Sequence, residues 1–313
     1  MKINGSWFEF QHGGGWEAKY WNPQFMQFSA EQWKTLIKDI AGIGMEYLVL
    51  MSSALGGKTF YESEYAEEYP IACRNLLPLL LETAEKLDLK VFVANDFFGD
   101  WSNPVAMMTD SNIREARDRR SAEIVERFGH YRSFYGWYWP NEAAIHPYYE
   151  EFFIDYVNHN SALAHQLTPG KKTLIAPYGT FRAKTDDAFI DQLERLDIDY
   201  IAYQDEIGVR KSNLDWTPYY FEALRRAHDK AGRSKLWADV EVFHFEGEVY
   251  KTALLPAPFE RVKAQIDGIS QFVDRILIYQ YPGLMSRPGS IASTGTASEQ
   301  LYTAYAEHLK RQG

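Results

Sequence analysis

The sequence predicts a single (β/α)8 barrel, and three observations support that prediction. Apolar, β-rich runs alternate with helical runs eight times along the chain. Links from helix to strand are short and links from strand to helix are long. The 313 residues are enough for one barrel, which usually takes about 250 residues or more. Because no linker or repeat divides the chain, residues 1–313 are predicted to form one domain, with an open doubly wound sheet as the alternative.

The eight strands are predicted where short β-branched, aromatic or leucine-rich runs are bounded by polar or glycine residues. In chain order they are Ile3–Gln11, Glu46–Ser52, Lys90–Asp96, Phe134–Trp139, Lys172–Pro177, Asp199–Gln204, Lys235–Val242 and Arg275–Tyr281. Parallel strands in such a barrel carry the active site at their carboxyl ends, which is also where the long loops lie. The residues at these strand ends are therefore the first candidates for function.

A helical run follows each predicted strand. Ser29 and Gln32 have the spacing of a capping box at the start of the first helix, and Gly42 and Gly44 mark its end. In chain order the helices are predicted at Ala30–Ala41, Ile71–Lys86, Asn112–Arg127, Tyr148–Gln166, Asp186–Leu196, Pro218–Lys230, Pro258–Phe272 and Ser298–Arg311.

Bulk composition narrows the classes of partner. The net charge of −10 disfavours nucleic acid or an anionic membrane surface. No apolar run reaches the ~18 residues of a membrane span, and the N-terminus lacks a signal-like apolar segment. A cytoplasmic location is predicted for the sequence as written, and a secreted or periplasmic one if the N-terminus was clipped. The single cysteine, Cys73, excludes an internal disulfide, and the oligomeric state stays open.

Aromatic content is high, at 16% of the chain. Most of these rings are expected in the core. The remainder suit a groove that binds sugars, because a ring presents an apolar face while Tyr and Trp also carry a polar group.

Two carboxylates occupy the ends of predicted strands four and seven. Glu142 follows Tyr135-Gly-Trp-Tyr-Trp-Pro-Asn, where apolar neighbours would raise its pKa as a general acid requires. Glu241 ends the strongly alternating seventh strand, whose polar side is expected to face the barrel interior, and is the candidate nucleophile. Asp239 lies one layer deeper on that side and is expected to orient a group or bind a sugar hydroxyl. The structural alternatives are a helix-end acid for Glu142 and a buried polar network for the other two.

Polar or aromatic residues close most of the other strands, which suits a ligand rich in hydroxyl groups. These further candidates for substrate contact are His12, Trp16, Asn95, Asp96, Trp139, Asn141, Tyr178, Gln204, Asp205, Tyr279 and Gln280.

The sequence lacks the residues that several other reaction types require. No lysine ends a predicted strand, as a Schiff-base aldolase would need. Strand one has no His-x-His, and strand five ends without a third acidic ligand, so no metal site is predicted. Gly13-Gly-Gly does not match a phosphate or dinucleotide loop, and no cofactor is expected.

The chain resembles the large clan of retaining barrel glycosidases, in which Asn-Glu ends strand four and Glu ends strand seven. More narrowly it resembles the DUF4434 family of candidate barrel glycoside hydrolases. The likeness lies in Ile3-Asn-Gly-Ser-Trp7, His12, the segment 33–44, Gly136-Trp-Tyr-Trp-Pro-Asn-Glu142, Tyr203-Gln-Asp-Glu-Ile-Gly208 and Trp237-Ala-Asp-Val-Glu-Val-Phe243. The resemblance implies that Glu142 is the acid/base and Glu241 the nucleophile. Gln204-Asp205 departs from the clan pattern at strand six, which leaves Asp205 and Asp239 as alternative nucleophiles.

The function expected from these features is hydrolysis of a glycosidic bond in an oligo- or polysaccharide, with retention of configuration. Asn141 would hold the 2-hydroxyl, and Trp139, Trp16 and Tyr279 would shape the cleft. Two alternatives remain: a non-catalytic carbohydrate-binding barrel, and a lyase or isomerase acting on a sugar acid. The last would require converging basic residues, for which Arg182 and Arg287 are the loop candidates.

Overall fold

A closed barrel of parallel strands organises the protein, as predicted. The structure is a computed structural model that describes residues 2–96 and 98–312. Within these residues eight strands form the barrel, and β8 pairs with β1 to close it. In chain order they are β1 (Gly5–Phe8), β2 (Tyr47–Leu50), β3 (Lys90–Ala94), β4 (Phe134–Tyr138), β5 (Lys172–Ile175), β6 (Tyr200–Gln204), β7 (Lys235–Glu241) and β8 (Arg275–Tyr279).

One principal helix follows each strand, and each predicted helix is present. In chain order they are α1 (Ala30–Gly42), α2 (Leu76–Lys86), α3 (Ser111–Phe128), α4 (Glu151–Leu167), α5 (Asp187–Arg195), α6 (Thr217–Ala231), α7 (Phe259–Ile269) and α8 (Thr296–Gln312). Short helical segments at Asn22–Phe25 and Pro104–Thr109, and a 3₁₀ turn at Thr180–Arg182, lie in loops where no helix was predicted.

Local signals set the helix ends. The capping box is confirmed, since the Ser29 side chain accepts from the amide of Gln32 and the Gln32 side chain accepts from the amide of Ser29. The prediction of a helix from Ile71 was wrong by five residues, because α2 begins only at Leu76. Asn75 has φ +54°, a left-handed conformation that cannot belong to a right-handed helix.

Aromatic and aliphatic side chains fill the lower part of the barrel. Trp7, Tyr47, Phe92 and Trp237 belong to this interior cluster, and the Trp237 ring stacks on Tyr200 at 4.4 Å between centroids. The predicted alternation of β7 is confirmed, because Trp237 points inward while Ala238 and Val240 join the outer core with the helices. A packed interior leaves room for a ligand only above this cluster, at the carboxyl ends of the strands.

Long loops build that upper face. The loop after β2 carries a small ribbon of Ala54–Leu55 and Lys58–Thr59, and the loop after β7 carries another of Phe243–Phe245 and Leu254–Pro256. Links at the opposite end are short, such as residues 87–89 between α2 and β3. No helix in the described parts of the chain combines the length and the apolarity needed to cross a bilayer.

Candidate active site

A cleft with two adjoining lobes opens at the carboxyl ends of the strands. Lobe A has a volume of about 450 Å³ and is lined by Asp239 and Glu241 from β7. Lobe B has a volume of about 270 Å³ and lies toward the loops that follow β1, β2 and β3. The side chains that border both lobes are His12, Glu17, Met51, Glu142, Tyr178 and Tyr279.

Glu142 stands where the two lobes meet. It follows β4 after Trp139-Pro140-Asn141, and no helix begins until Glu151, so the alternative of a helix-end acid does not apply. Burial raises the pKa of its carboxyl to about 7; hydrogen bonds from Gln204 and Tyr138 act against that rise. A carboxylic acid with this pKa keeps much of its proton at neutral pH and can donate it.

Glu241 is the last residue of β7 and is held by backbone amides. The N–H of Val209 donates to its Oε2 at 2.8 Å, and the amide of Gly208 also hydrogen-bonds to the carboxyl. Gly208 has to be glycine here, since a Cβ at that position would lie 2.9 Å from Oε2. The Glu241 carbonyl accepts from Arg261 at 2.9 Å and from Gln265 at 3.1 Å. The strand end is thereby fixed from both sides.

Asp205 lies behind Glu241 and does not line the cleft. Its Oδ1 accepts from the amides of Glu241 at 3.2 Å and Ile207 at 3.3 Å, and Gln265 donates to its Oδ2 at 2.6 Å. Burial raises its pKa to about 6, and its charge in turn helps raise the pKa of Glu241. Asp205, a predicted substrate contact, is therefore placed outside the cleft, with its side chain turned to the backbone and to α7.

Asp239 faces lobe A from one layer below Glu241. It is only 3% exposed, and its Oδ1 has no hydrogen-bond partner among the described residues. Burial, together with the charges of Glu241, Asp205 and Glu142, raises its pKa well above the ordinary value. A buried carboxyl without donors keeps its proton and is ready to bind a polar ligand.

His12 joins two carboxylates at the border of the lobes. Its Nδ1 lies 3.1 Å from both carboxyl oxygens of Glu9 and from the hydroxyl of Tyr279, and its Nε2 lies 3.0 Å from Glu17. Burial alone would lower the pKa of the imidazole, but Glu9 and Glu17 together raise it to about 10. His12 is therefore a cation at neutral pH, and its charge is neutralised by its neighbours.

Asn141 lines lobe B, and buried residues fix the orientation of its side chain. Its Nδ2 donates to Asp96 at 3.0 Å and to the Tyr156 hydroxyl at 3.1 Å, which leaves its Oδ1 without a partner in the described chain. Asp96 also pairs with the buried Arg117 at 3.3 Å. Asp96, a predicted substrate contact, does not line the cleft, and its carboxylate is occupied by these buried partners.

Four further predicted contact residues lie away from the cleft. Trp139 lies on the same side of the strand as Trp137 and points into the helical layer, where its indole N–H donates to the hydroxyl of Ser161 on α4. Asn95 donates to Asn160 at 2.7 Å, and Gln280 donates to Glu9 at 2.5 Å, so both are buried supports. Trp16 is half exposed and donates to the carbonyl of Tyr250, outside both lobes. The predicted residues that do line the cleft are His12, Asn141, Glu142, Tyr178, Gln204, Asp239, Glu241 and Tyr279.

Several lining residues were missed because loops, rather than strand ends, supply them. Lys211 reaches lobe A from the loop after β6, where its Nζ lies 4.0 Å from Glu206 and about 5 Å from the ring of Tyr250. Glu17 and Trp101 likewise come from loops. The basic residues considered earlier do not line the cleft, since Arg287 pairs with Asp39 at 2.7 Å and Arg182 lies near His146.

The sequence matches a family model described as "Domain of unknown function (DUF4434)" over residues 3–292. The chain belongs to the DUF4434 family. No curated protein sequence matches it.

Solved structures share the fold at low sequence identity. A candidate α-L-fucosidase from Bacteroides thetaiotaomicron is 17% identical, with a TM-score of 0.76 over 99% of this chain and 94% of that one. An endo-1,4-β-D-mannanase from Thermotoga petrophila is 9% identical, with a TM-score of 0.63 over 99% and 100%. A β-galactosidase from Marinomonas ef1 is 11% identical, with a TM-score of 0.63 over 99% and 60%. At these identities the likeness establishes the barrel and not the activity.

Proposed function

We propose that this protein is a glycoside hydrolase that cleaves its substrate with retention of configuration, using Glu142 as acid/base and Glu241 as nucleophile. The observation that carries the proposal is the arrangement of these two carboxyls at the ends of β4 and β7, facing one cleft. Two carboxyl groups on either side of a scissile bond are the usual requirement of glycoside hydrolysis.

The two acids need opposite protonation states in the first step, with Glu142 protonated and Glu241 ionised. Glu142 holds a proton because burial raises its pKa to about 7. Burial and neighbouring carboxyls raise the pKa values of both Glu241 and Asp239. Backbone amides that donate to Glu241 favour its carboxylate form, whereas the Oδ1 of Asp239 has no donor among the described residues.

In the first step the Glu241 carboxylate attacks the anomeric carbon as the glycosidic C–O bond breaks. The leaving oxygen takes the Glu142 proton, and an ester links the sugar to Glu241. In the second step the Glu142 carboxylate removes a proton from water, which attacks the same carbon and releases Glu241. Both acids return to their initial states, so no cofactor is consumed.

The proposed substrate is an oligo- or polysaccharide. The structural neighbours are named for fucosidase, mannanase and galactosidase activities and include both α- and β-specific names, so they do not select one sugar. Both aromatic and polar side chains line lobe A, among them Tyr178, Gln204 and Tyr250. This mixture suits a ligand with apolar ring faces and many hydroxyl groups.

Glutamine variants of the two acids test the mechanism. The enzyme would first be screened on fucosides, galactosides and mannosides that carry either a dinitrophenyl or an alkyl leaving group. Glu142→Gln should lose activity by about 10²–10⁴-fold on alkyl glycosides. It should lose much less on dinitrophenyl glycosides, whose leaving group needs no proton in the first step. Glu241→Gln should lose activity on both.

The control is Glu248→Gln, an exposed carboxyl outside the cleft, which should keep wild-type rates. Proton NMR of the first product formed should show the anomer of the substrate. Wild-type protein that binds sugars without hydrolysing any of them would contradict the proposal and favour the carbohydrate-binding alternative. Activity that survives Glu241→Gln would also contradict it.

A further inference from the structure

Lobe B extends the cleft beyond the carboxyls that would perform the chemistry. It adjoins lobe A through Glu142, yet neither Asp239 nor Glu241 lines it. Its volume of about 270 Å³ lies just under the range of ~300–1,000 Å³ that holds whole small ligands, so it suits one part of a larger ligand.

Trp101 forms one wall of this lobe. Its indole lies directly against the backbone of Gly13, since a Cβ at that position would be 3.1 Å from the indole Cε2. The side chain is 40% exposed, and Leu55 and Pro104 lie on the same lobe. A supported and accessible indole face is suited to packing against the C–H face of a pyranose ring.

Polar groups in lobe B match hydroxyls. Asn141 is 2% exposed and lines this lobe, and its buried Oδ1 has no partner among the described residues. Its amide group is already committed to Asp96 and Tyr156, so the oxygen can only accept. A sugar hydroxyl would supply the missing donor and remove the cost of a buried, unpaired carbonyl.

The charges of lobe B disfavour an acidic sugar. Glu9 and Glu17 line it, and the cation of His12 is already paired with both of them. Among the described residues that line this lobe there is neither lysine nor arginine. A carboxylated or sulfated unit would find excess negative charge and no basic partner.

We propose that lobe B is a second sugar subsite, in which Trp101 stacks on a neutral pyranose unit while lobe A holds the unit next to it. The substrate is then a neutral oligosaccharide that occupies both sides of Glu142. This inference rests on the proposed function for the identity of the ligand as a sugar, but it does not depend on which carboxyl is the nucleophile.

Binding to a glycan array tests the subsite without using turnover. The probe is an array of neutral and acidic mono- and oligosaccharides, presented to the Glu241→Gln protein because Glu241 does not line lobe B. The bound glycans should be neutral and contain at least two sugar units. In calorimetry with the best of them, Trp101→Ala should weaken binding about tenfold, whereas Trp101→Phe, which keeps a ring, should lose less.

The matched control is Trp216→Ala, which removes an indole that is 57% exposed and outside both lobes and should leave affinity unchanged. Circular dichroism would establish that each variant is folded. Three results would each overturn the inference. They are unchanged affinity in a folded Trp101→Ala protein, a preference for acidic glycans or single sugars, and the absence of any bound glycan. If glycan binding depends on Trp101 but hydrolysis survives in Glu142→Gln, the subsite is supported and the proposed mechanism is contradicted.

Discussion

Gly208→Ala should lower the proposed activity by displacing the Glu241 carboxylate without removing any carboxyl group. The new Cβ would lie 2.9 Å from Glu241 Oε2 and 2.7 Å from the carbonyl oxygen of Phe243. Ordinary contact begins near 3.4 Å, so the carboxylate has to move by the difference, 3.4 − 2.9, or about 0.5 Å. The carbonyl on the other side is backbone and cannot yield by rotating.

The size of the effect follows from this shift. A misplacement of ~1 Å costs about 10²-fold in rate, so half of that should lower kcat about tenfold. Overpacking should also cost about 1–3 kcal/mol of unfolding free energy. The amide hydrogen bonds that favour the carboxylate weaken as it moves, so the pKa of Glu241 should rise and the acidic limb of the rate profile should shift to higher pH.

The assay is kcat and kcat/KM across pH, together with thermal unfolding. Gly42→Ala is the matched control, because Gly42 ends α1 and a Cβ there meets nothing within 4 Å. It should leave kcat unchanged and keep or slightly raise the stability. A folded Gly208→Ala protein with wild-type kcat and an unshifted profile would refute the view that this loop positions the nucleophile.

Three further predictions concern titratable groups. Because the pKa of Glu142 is raised to about 7, kcat/KM should fall as pH rises through 7. Glu142→Gln should abolish this fall on the alkaline side of the profile. A fall that persists in the variant would show that another group causes it. Removing the charge of Asp205 in Asp205→Asn should lower the pKa of Glu241 and move the acidic limb to lower pH, and a shift to higher pH would contradict this. His12, whose folded pKa is about 10, stabilises the fold fully below pH 6.5 and loses this effect as pH rises toward 10. His12→Gln should therefore cost about 3–5 kcal/mol of unfolding free energy at pH 6 and less at pH 10, and an equal cost at both would argue against the ion pair.

The alternation of side chains along a strand explains which of the predicted site residues line the cleft and why one of them does not. The alternation of β7 placed Asp239 and Glu241 on the inner face, and both line the cleft. The same rule, applied to β4, puts Tyr138 inward and Trp137 and Trp139 outward, which is why Trp139 lies away from the cleft. A polar or aromatic residue at a strand end therefore indicates ligand contact only when its side chain points into the barrel.

Supports from distant elements could not be predicted from local patterns. Asp205 looks like a ligand-binding acid in sequence, but Gln265 on α7, sixty positions away, donates to it and ties it to the backbone of Glu241. Asp96 is similarly occupied by Arg117 on α3. A polar group at a strand end can bind a ligand only if no buried residue already occupies it with hydrogen bonds. Whether such a residue is present depends on tertiary packing.

Loop conformation also escaped prediction. Lys211 was overlooked because lysines were sought at strand ends, whereas it reaches lobe A from the loop after β6. Trp101 comes from the loop after β3 and meets Gly13 of the loop after β1 only in the folded barrel. Loops have no fixed periodicity, so their side-chain directions cannot be obtained from spacing alone.

The most direct test of the central claim is covalent labelling of the nucleophile. A 2-deoxy-2-fluoro derivative of the hydrolysed sugar, with a reactive leaving group, should inactivate the enzyme and add one sugar per chain. Mass spectrometry of the peptides should then place the label on Glu241, and Glu241→Gln should remain unlabelled. A label on Asp239 or Asp205, or turnover without any covalent adduct, would contradict the account.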